Sequence, residues 1–182
     1  MKKNIIGLVL TLCSVSAYAQ TFVLQSEDIA QGKALGDSHV FNGFGCSGKN
    51  ISPQLSWKNP PPGTLSFAVT VYDPDAPTGS GWWHWTMVNI PANVQALPAN
   101  AGDRNNMLLP KGAVQGRNDY GYAGFGGACP PEGASPHRYR FTIWALKTAQ
   151  LPIDNESSGA LAGFMLNANV LATADLDAVY GR

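Results

Sequence analysis

Two distant segments of the chain combine ionisable side chains with proline and glycine. The first is Asp-Pro-Asp-Ala-Pro at 73–77, followed by Trp-Trp-His-Trp at 82–85, and the second is Pro-Pro-Glu-Gly-Ala-Ser-Pro-His-Arg-Tyr at 130–139. Each segment lies where an apolar run meets a loop. Loops at strand ends are where a rigid sheet can hold polar groups around a ligand. The pairing predicts one polar pocket built from both segments.

Two of the three histidines, His84 and His137, belong to these segments and are candidates for binding an anion. An imidazole titrates near physiological pH and can donate hydrogen bonds. The indoles around His84 would strengthen hydrogen bonds in such a pocket, although a core histidine in an aromatic cluster has the same pattern. Asp73 ends a strand because proline follows it, so its carboxylate either caps a turn or faces the pocket. Tyr139 offers a further hydroxyl.

Two catalytic alternatives use the same residues. Asp73, His84 and His137 could bind a metal ion as two histidines and one carboxylate, although the chain has no closely spaced histidine pair. Cys129 could act as a thiol nucleophile with His137 as its base. Serine hydrolase chemistry is not favoured, because there is no Gly-x-Ser-x-Gly motif. Glycosidase chemistry is not favoured either, because two carboxylates in one turn rarely face each other across a sugar.

The first 19 residues have the organisation of a secretory signal peptide. A positively charged start precedes a short apolar run and an Ala-x-Ala site that ends at Ala19. We therefore expect residues 1–19 to be removed and residues 20–182 to form one domain in the periplasm or outside the cell. The apolar run is too short for a stable membrane span, and no later segment is apolar enough for one.

Charge and cysteine content narrow the class of partner. Removal of Lys2 and Lys3 leaves 10 basic and 12 acidic residues, so the formal net charge changes from zero to −2. Nucleic acid is not an expected partner, because phosphate neutralisation needs clustered Lys and Arg.

Two cysteines, Cys46 and Cys129, remain after removal of residues 1–19, and an even pair in an exported protein is interpreted first as a disulfide. The free Cys129 thiol is the alternative.

Short β-rich runs bounded by Pro and Gly predict a mainly β domain. The expected strands cover 22–24, 66–72, 85–90, 139–146 and 176–180. In the fourth strand Tyr139 shares a face with Phe141 and Ile143. Arg138 falls on the opposite face and is either a surface charge or a partner for an anion. The alternation favours the surface charge if His137 and Tyr139 point inward.

One helix is expected late in the chain, after an N-cap at Ser157 or Ser158. Apolar residues then recur at helical spacing as far as Ala172. Residues 93–127 are expected to be mostly irregular, and long loops of this kind in compact domains are often functional.

The motifs resemble those of the phosphatidylethanolamine-binding proteins, also called Raf-kinase-inhibitor-like proteins. They are most similar to the bacterial YbhB/YbcL branch and its secreted YbcL type. The resemblance is carried by segments 73–77 and 130–139, with His-Trp at 84–85 and Val-Asn at 88–89. It implies a large antiparallel sheet packed on a smaller sheet, with a C-terminal helix and an anion pocket at one end of the large sheet. In the family this pocket takes phosphate, acetate-like ions or a phosphorylethanolamine head group.

Carried over position by position, the resemblance implies a pocket wall made of Asp73, Trp82, His84, Gly127, Pro131, His137 and Tyr139. The sequence departs from the family pattern in two places. Cys129 replaces a glycine that often precedes the Pro-Pro pair, and this affects the geometry of backbone donors there. Trp83 stands where eukaryotic members tend to have another histidine, which makes the pocket less polar.

The expected function is binding of a small anion or phosphorylated head group without catalysis or a cofactor. Asp73 would orient His84 or His137, whose N–H group would hold the anion. The alternative is a protein-interaction or inhibitor module that docks a periplasmic or host partner through the pocket or loop 93–127. A hydrolase that depends on Cys129 or a metal ion is the third hypothesis. A homodimer fits the resemblance, but no exposed apolar stripe requires it.

Overall fold

A computed structural model describes residues 20–182, so the predicted signal peptide, 1–19, lies outside the described residues. Within this range the chain forms ten strands and one α-helix. In chain order they are β1 Val23–Gln25, β2 Asn42–Gly43, β3 Cys46–Ser47, β4 Leu55–Lys58, β5 Ser66–Asp73, β6 Trp82–Pro91, β7 Ala96–Leu97, β8 Val114–Gln115, β9 His137–Leu146, α1 Gly159–Asn169 and β10 Val170–Tyr180.

The strands form a large sheet, a small sheet and a hairpin. The large sheet has the order β10-β9-β5-β6-β8, and the small sheet has the order β1-β4-β7. All pairings within the two sheets are antiparallel. Strands β2 and β3 pair as a separate hairpin. The predicted mainly β fold, a large antiparallel sheet on a smaller one, is confirmed.

The large sheet is covered on both faces, which explains the continuous apolar character of its central strand β5. On one face Phe67 packs against Trp57 of the small sheet, with ring centroids 5.3 Å apart. On the other face Ala68 and Val88 form a second cluster with Leu166 of α1. Burial on both sides makes β5 a rigid support for the turn that follows it.

Helix α1 begins after Ser158, whose side chain accepts a hydrogen bond from the Leu161 backbone N–H at 3.2 Å. The helix ends at Asn169, so its predicted continuation to Ala172 is wrong. Those residues belong to β10, which starts six residues earlier than the predicted 176–180. Strand β10 pairs with β9 along almost its whole length, and this pairing outweighs local helix propensity. Within 20–182 no helix is long and apolar enough to cross a membrane.

Candidate functional site

A cavity of about 240 Å³ lies at the end of the large sheet where β5 ends and β9 begins. Six of the seven residues predicted for the pocket wall line it, and the exception is Gly127. The lining residues are Phe44, Asp73, Ala76, Pro77, Thr78, Trp82, His84, Tyr120, Cys129, Pro130, Pro131, His137, Tyr139 and Arg182. The two predicted segments therefore meet, together with three segments that the motif analysis did not place there.

Asp73 is the last residue of β5 and His137 is the first residue of β9, its neighbour in the sheet. The Nδ1 atom of His137 donates to Oδ2 of Asp73 at 2.7 Å, and both side chains are buried. The other carboxylate oxygen accepts the Asp75 backbone N–H at 2.8 Å. Asp73 therefore caps the turn and faces the pocket at the same time. The Nε2 atom of His137 is left for the cavity.

His84 is positioned by a β-bulge. Val71 pairs with Trp85 and Tyr72 pairs with Trp83, so β6 has one extra residue, His84, opposite β5. Bulges commonly re-aim a side chain beside a functional site. The bulge also interrupts the alternation of apolar residues, which explains why the predicted strand began at residue 85 rather than at 82.

The buried ring of His84 donates from Nδ1 to the Gly126 carbonyl oxygen at 2.7 Å. Burial lowers the pKa of His84 below its ordinary value, while the bond to Gly126 and the charge of Asp73 act in the opposite direction. A carbonyl oxygen can only accept, so the neutral ring carries its proton on Nδ1. Its Nε2 atom is then a hydrogen-bond acceptor.

Two buried donors at the cavity have no hydrogen-bond acceptor within the described residues. They are the hydroxyl of Tyr139 and Nε1 of Trp82, and both side chains line the cavity. Burial and the charge of Asp73 raise the pKa of Tyr139, although the nearby Cys129 backbone N–H opposes this rise. The phenol therefore stays protonated and can donate. An unsatisfied buried donor costs about 1–3 kcal/mol, so both groups are candidate ligand contacts.

Tyr120 forms the side wall that the sequence analysis missed. Its ring lies edge-on to His84, with centroids 5.6 Å apart, and its hydroxyl donates to the Gly127 carbonyl oxygen at 2.9 Å. Burial raises the pKa of Tyr120. Gly127 thus lies behind the wall, where its N–H donates to Asn50. A Cβ on Gly127 would lie 2.5 Å from the His39 carbonyl oxygen, so no side chain fits there.

The β2–β3 hairpin stands at the mouth of the cavity. Phe44 at its tip is 70% exposed, and its ring stacks on Tyr120 with centroids 5.6 Å apart. A disulfide joins Cys46 of the hairpin to Cys129 at the cavity wall. The predicted disulfide is therefore present, and the alternative of a free Cys129 thiol nucleophile is wrong.

Arg182 places a positive charge at the same mouth. Its Nε atom donates to the Pro130 carbonyl oxygen at 2.7 Å, and its Nη1 atom donates to that of Gly45 at 3.1 Å. The Nη2 atom reaches the Phe44 carbonyl oxygen at 3.4 Å. Nothing in the sequence pattern indicated this role, because the residue is distant from both motifs. The guanidinium links the hairpin to the proline loop.

Of the three tryptophans around His84, Trp82 lines the cavity, whereas Trp83 and Trp85 do not. Trp83 packs against Tyr72 in a tilted arrangement, with ring centroids 4.7 Å apart, and lies over Gly159 and Gly163 of α1. Trp85 is fully buried in the core, where its Nε1 donates to Gln115 at 2.6 Å. The aromatic groups nearest the ring of His84 are tyrosines instead.

Asp73, His84 and His137 converge on one cavity, as the metal hypothesis requires. They do not form a cluster that could hold an ion, and neither does any other group of three or more His, Cys, Asp or Glu residues within 20–182. Arg138 points away from the cavity, as its position on the outer face of β9 predicted. It forms a two-point ion pair with Asp75 at 2.7 and 2.9 Å.

The family model of the phosphatidylethanolamine-binding proteins matches residues 25–181. The chain belongs to this family. YbcL of Escherichia coli strain K12 is 62% identical over 180 residues, which cover 99% of this chain and 98% of that protein. YbhB of the same strain is 48% identical over 157 residues, which cover 86% of this chain and 98% of that protein. The predicted YbhB/YbcL branch is therefore confirmed.

Solved structures support the same assignment. The crystal structure of E. coli YbcL, described as a new member of the mammalian family, matches with a TM-score of 0.88 and 64% identity. The match covers 88% of this chain and 98% of that one. A homologue from Chlamydia trachomatis matches with a TM-score of 0.73 at 27% identity, over 88% and 97% of the two chains.

Proposed function

We propose that this chain is a binding protein of the periplasm or cell exterior that holds a small anion in the cavity and catalyses no reaction. The observation that carries this proposal is the convergence of buried polar groups at the cavity floor. His84 and His137 each use Nδ1 in a bond to the protein, and Tyr139 and Trp82 each keep an unused donor. The matching family takes its name from a phospholipid that contains a phosphate group.

The hydrogen-bond pattern makes anion binding depend on a proton. In this proposal Tyr139 and Trp82 supply two neutral donors, neither of which has an acceptor within residues 20–182. His84 and His137 already carry one proton on Nδ1, so each can donate from Nε2 only after it gains a second proton. A neutral ring instead accepts from a protonated oxygen of the ligand.

The surroundings of the Asp73–His137 pair favour binding over covalent catalysis. A nucleophilic mechanism needs a hydroxyl or thiol within hydrogen-bond reach of its base. Among the lining residues of the described chain, Cys129 is held in the disulfide. The Tyr120 hydroxyl donates to the Gly127 carbonyl oxygen, and the Tyr139 hydroxyl is hydrogen-bonded to neither imidazole. The hydroxyl of Thr78 donates to the Gly81 carbonyl oxygen. None of these groups is hydrogen-bonded to the imidazole of His137.

Isothermal titration calorimetry with inorganic phosphate and phosphorylethanolamine tests the proposal. We expect saturable binding to the wild type and binding at least about tenfold weaker to His84→Ala, because one ligand contact is lost. His39→Ala is the matched control, since this buried ring also donates from Nδ1 to a carbonyl oxygen, that of Ile51, but lies outside the cavity. Equal binding by wild type and His84→Ala, or none up to about 1 mM, contradicts the proposal.

A second candidate function is a protein-interaction or inhibitor module that acts on a periplasmic or host partner. Met107 and Leu108, adjacent in loop 93–127, are 79% and 45% exposed, and exposed apolar groups of this kind occur at interaction sites. Pull-down with a Met107→Ser/Leu108→Ser variant tests this function. Loss of capture relative to Phe164→Ser, an exposed control on α1, supports it, and unchanged capture removes the loop as the docking surface.

A further inference from the structure

The mouth of the cavity differs chemically from its floor. The floor is polar and buried, whereas the mouth has the exposed apolar residues Phe44, Pro77 and Pro131 beside the guanidinium of Arg182. We propose that the ligand is a small organic acid, either a phosphate monoester or a carboxylate, whose substituent is apolar and lies in this mouth. Phosphorylethanolamine, whose substituent carries an ammonium group, is then not the preferred ligand. This inference rests on the proposed function of the floor as an anion site.

The size of the cavity favours an organic ligand over a bare inorganic ion. Its volume of about 240 Å³ is many times the roughly 10–15 Å³ that one water molecule needs in the same measure. Pockets for organic ligands begin at about 300 Å³, so the occupant is small. An anionic group at the floor therefore leaves room for a substituent towards the mouth.

Phe44 is held in position to contact that substituent. Its backbone has a φ of 51°, a left-handed conformation that is uncommon for a bulky residue. The Cys46–Cys129 disulfide and two hydrogen bonds from Arg182 fix the hairpin in place. A fixed aromatic ring that is exposed at the edge of a cavity can bury an apolar ligand group with little loss of conformational entropy.

The charges at the mouth disfavour an ammonium group. Among the cavity-lining residues Asp73 is the one carboxylate, and it is buried at the floor, where its two oxygens accept from His137 and the Asp75 backbone N–H. Glu132 is exposed and does not line the cavity. Arg182 donates to three carbonyl oxygens and has no acidic partner within residues 20–182. The ammonium of phosphorylethanolamine would face this cation, and the repulsion offsets any attraction to the aromatic rings.

Titration calorimetry with four ligands on the mature chain tests the inference. We expect phenyl phosphate to bind about tenfold more tightly than inorganic phosphate, because its ring is buried against Phe44. Phosphorylethanolamine should bind no more tightly than inorganic phosphate. Phenylacetate, compared with phenyl phosphate, distinguishes a carboxylate from a phosphate monoester as the anionic end.

Substitutions at Phe44 and Arg182 test whether these residues cause the two expected preferences. Phe44→Ala should weaken phenyl phosphate about tenfold more than it weakens inorganic phosphate, so that the two ligands bind with similar affinity. Phe164→Ala is the matched control, because Phe164 on α1 has the same 70% exposure away from the cavity. Arg182→Gln should improve phosphorylethanolamine relative to inorganic phosphate, whereas Arg182→Lys, which keeps the charge, should not.

The outcomes separate this inference from the proposed function. If phosphorylethanolamine binds most tightly, or phenyl phosphate binds no more tightly than inorganic phosphate, the inference is overturned while the anion site stands. If none of the four ligands binds, the proposed function fails and this inference fails with it.

Discussion

The turn after β5 contains two aspartates, and each pairs with a residue at the start of β9. Asp73 binds His137 on the cavity side, and Asp75 binds Arg138 on the outer side. The shortest N–O distance is 2.7 Å in both pairs. The side chains of the inner pair are 7% and 4% exposed, whereas those of the outer pair are 51% and 31% exposed.

The two pairs therefore have the same contact distance. They differ in how deeply they are buried and in which of their atoms remain free to form another hydrogen bond. An exposed ion pair contributes about 0–1 kcal/mol, because water screens it. A buried hydrogen bond to a charged group contributes about 1.5–3 kcal/mol. The inner pair also leaves Nε2 of His137 free at a cavity, whereas the outer pair engages Nε and Nη2 of Arg138 at the surface. The inner pair suits ligand binding, and the outer pair suits stabilisation of the turn.

The largest expected effect comes from neutralising each carboxylate in turn. Asp73→Asn should weaken phosphate binding at least about tenfold and lower the free energy of unfolding by about 2 kcal/mol, because the buried imidazole loses its charged partner. Asp75→Asn should leave binding within about twofold. Calorimetry and urea denaturation of both variants measure these changes, and similar losses of binding in the two variants would contradict the functional distinction.

The pH dependence of binding should give the next largest effect. Burial lowers the pKa of His84 from 6.5, so its ring is neutral at pH 7 and gains the Nε2 donor only as the pH falls. The affinity for benzenesulfonate, whose charge is constant in this range, should therefore rise as the pH falls from 8 to 5.5. If binding takes up one proton, the affinity rises by at most about tenfold for each pH unit. An affinity that stays constant over this pH range would contradict the proposal that binding is coupled to the uptake of a proton.

The smallest expected effect is the contribution of the outer pair to stability. The hydrogen bonds from Arg138 lower the pKa of Asp75 from 3.8 to about 2. A lowered carboxyl pKa favours the folded state above pH 3.8, and this contribution is lost as the pH falls through about 2. Because the pair is exposed, Asp75→Asn should cost about 0.5 kcal/mol at pH 7. Thermal melts between pH 7 and pH 2 measure whether this difference shrinks, and a constant difference would contradict the assignment.

The sequence predicted the elements that have strong local patterns. The alternation in β9 placed Tyr139 inward and Arg138 outward, and the structure has both. The start of β10 could not be predicted, because its first residues alternate weakly and follow a helix without an intervening loop. Pairing with β9, a long-range interaction, decides that boundary.

The floor of the site was more predictable than its mouth. Asp73 and His137 lie at strand ends with clear turn signals, so their meeting follows from antiparallel pairing. Phe44 and Arg182 reach the cavity only through the hairpin disulfide and the final path of the chain. No local sequence pattern encodes that long-range packing, which is why both residues were missed.

The central claim is that His84 and His137 hold a proton on Nδ1 and turn Nε2 towards the ligand. Nitrogen-15 NMR of the imidazole rings in wild type, Asp73→Asn and Asp75→Asn, with and without phosphate, tests it most directly. We predict Nδ1-protonated rings at pH 7.5. Phosphate should give saturable shifts at both Nε2 atoms in wild type and Asp75→Asn, and these shifts should be lost in Asp73→Asn. Rings protonated on Nε2, or Nε2 signals that do not respond to saturating phosphate, would contradict the claim.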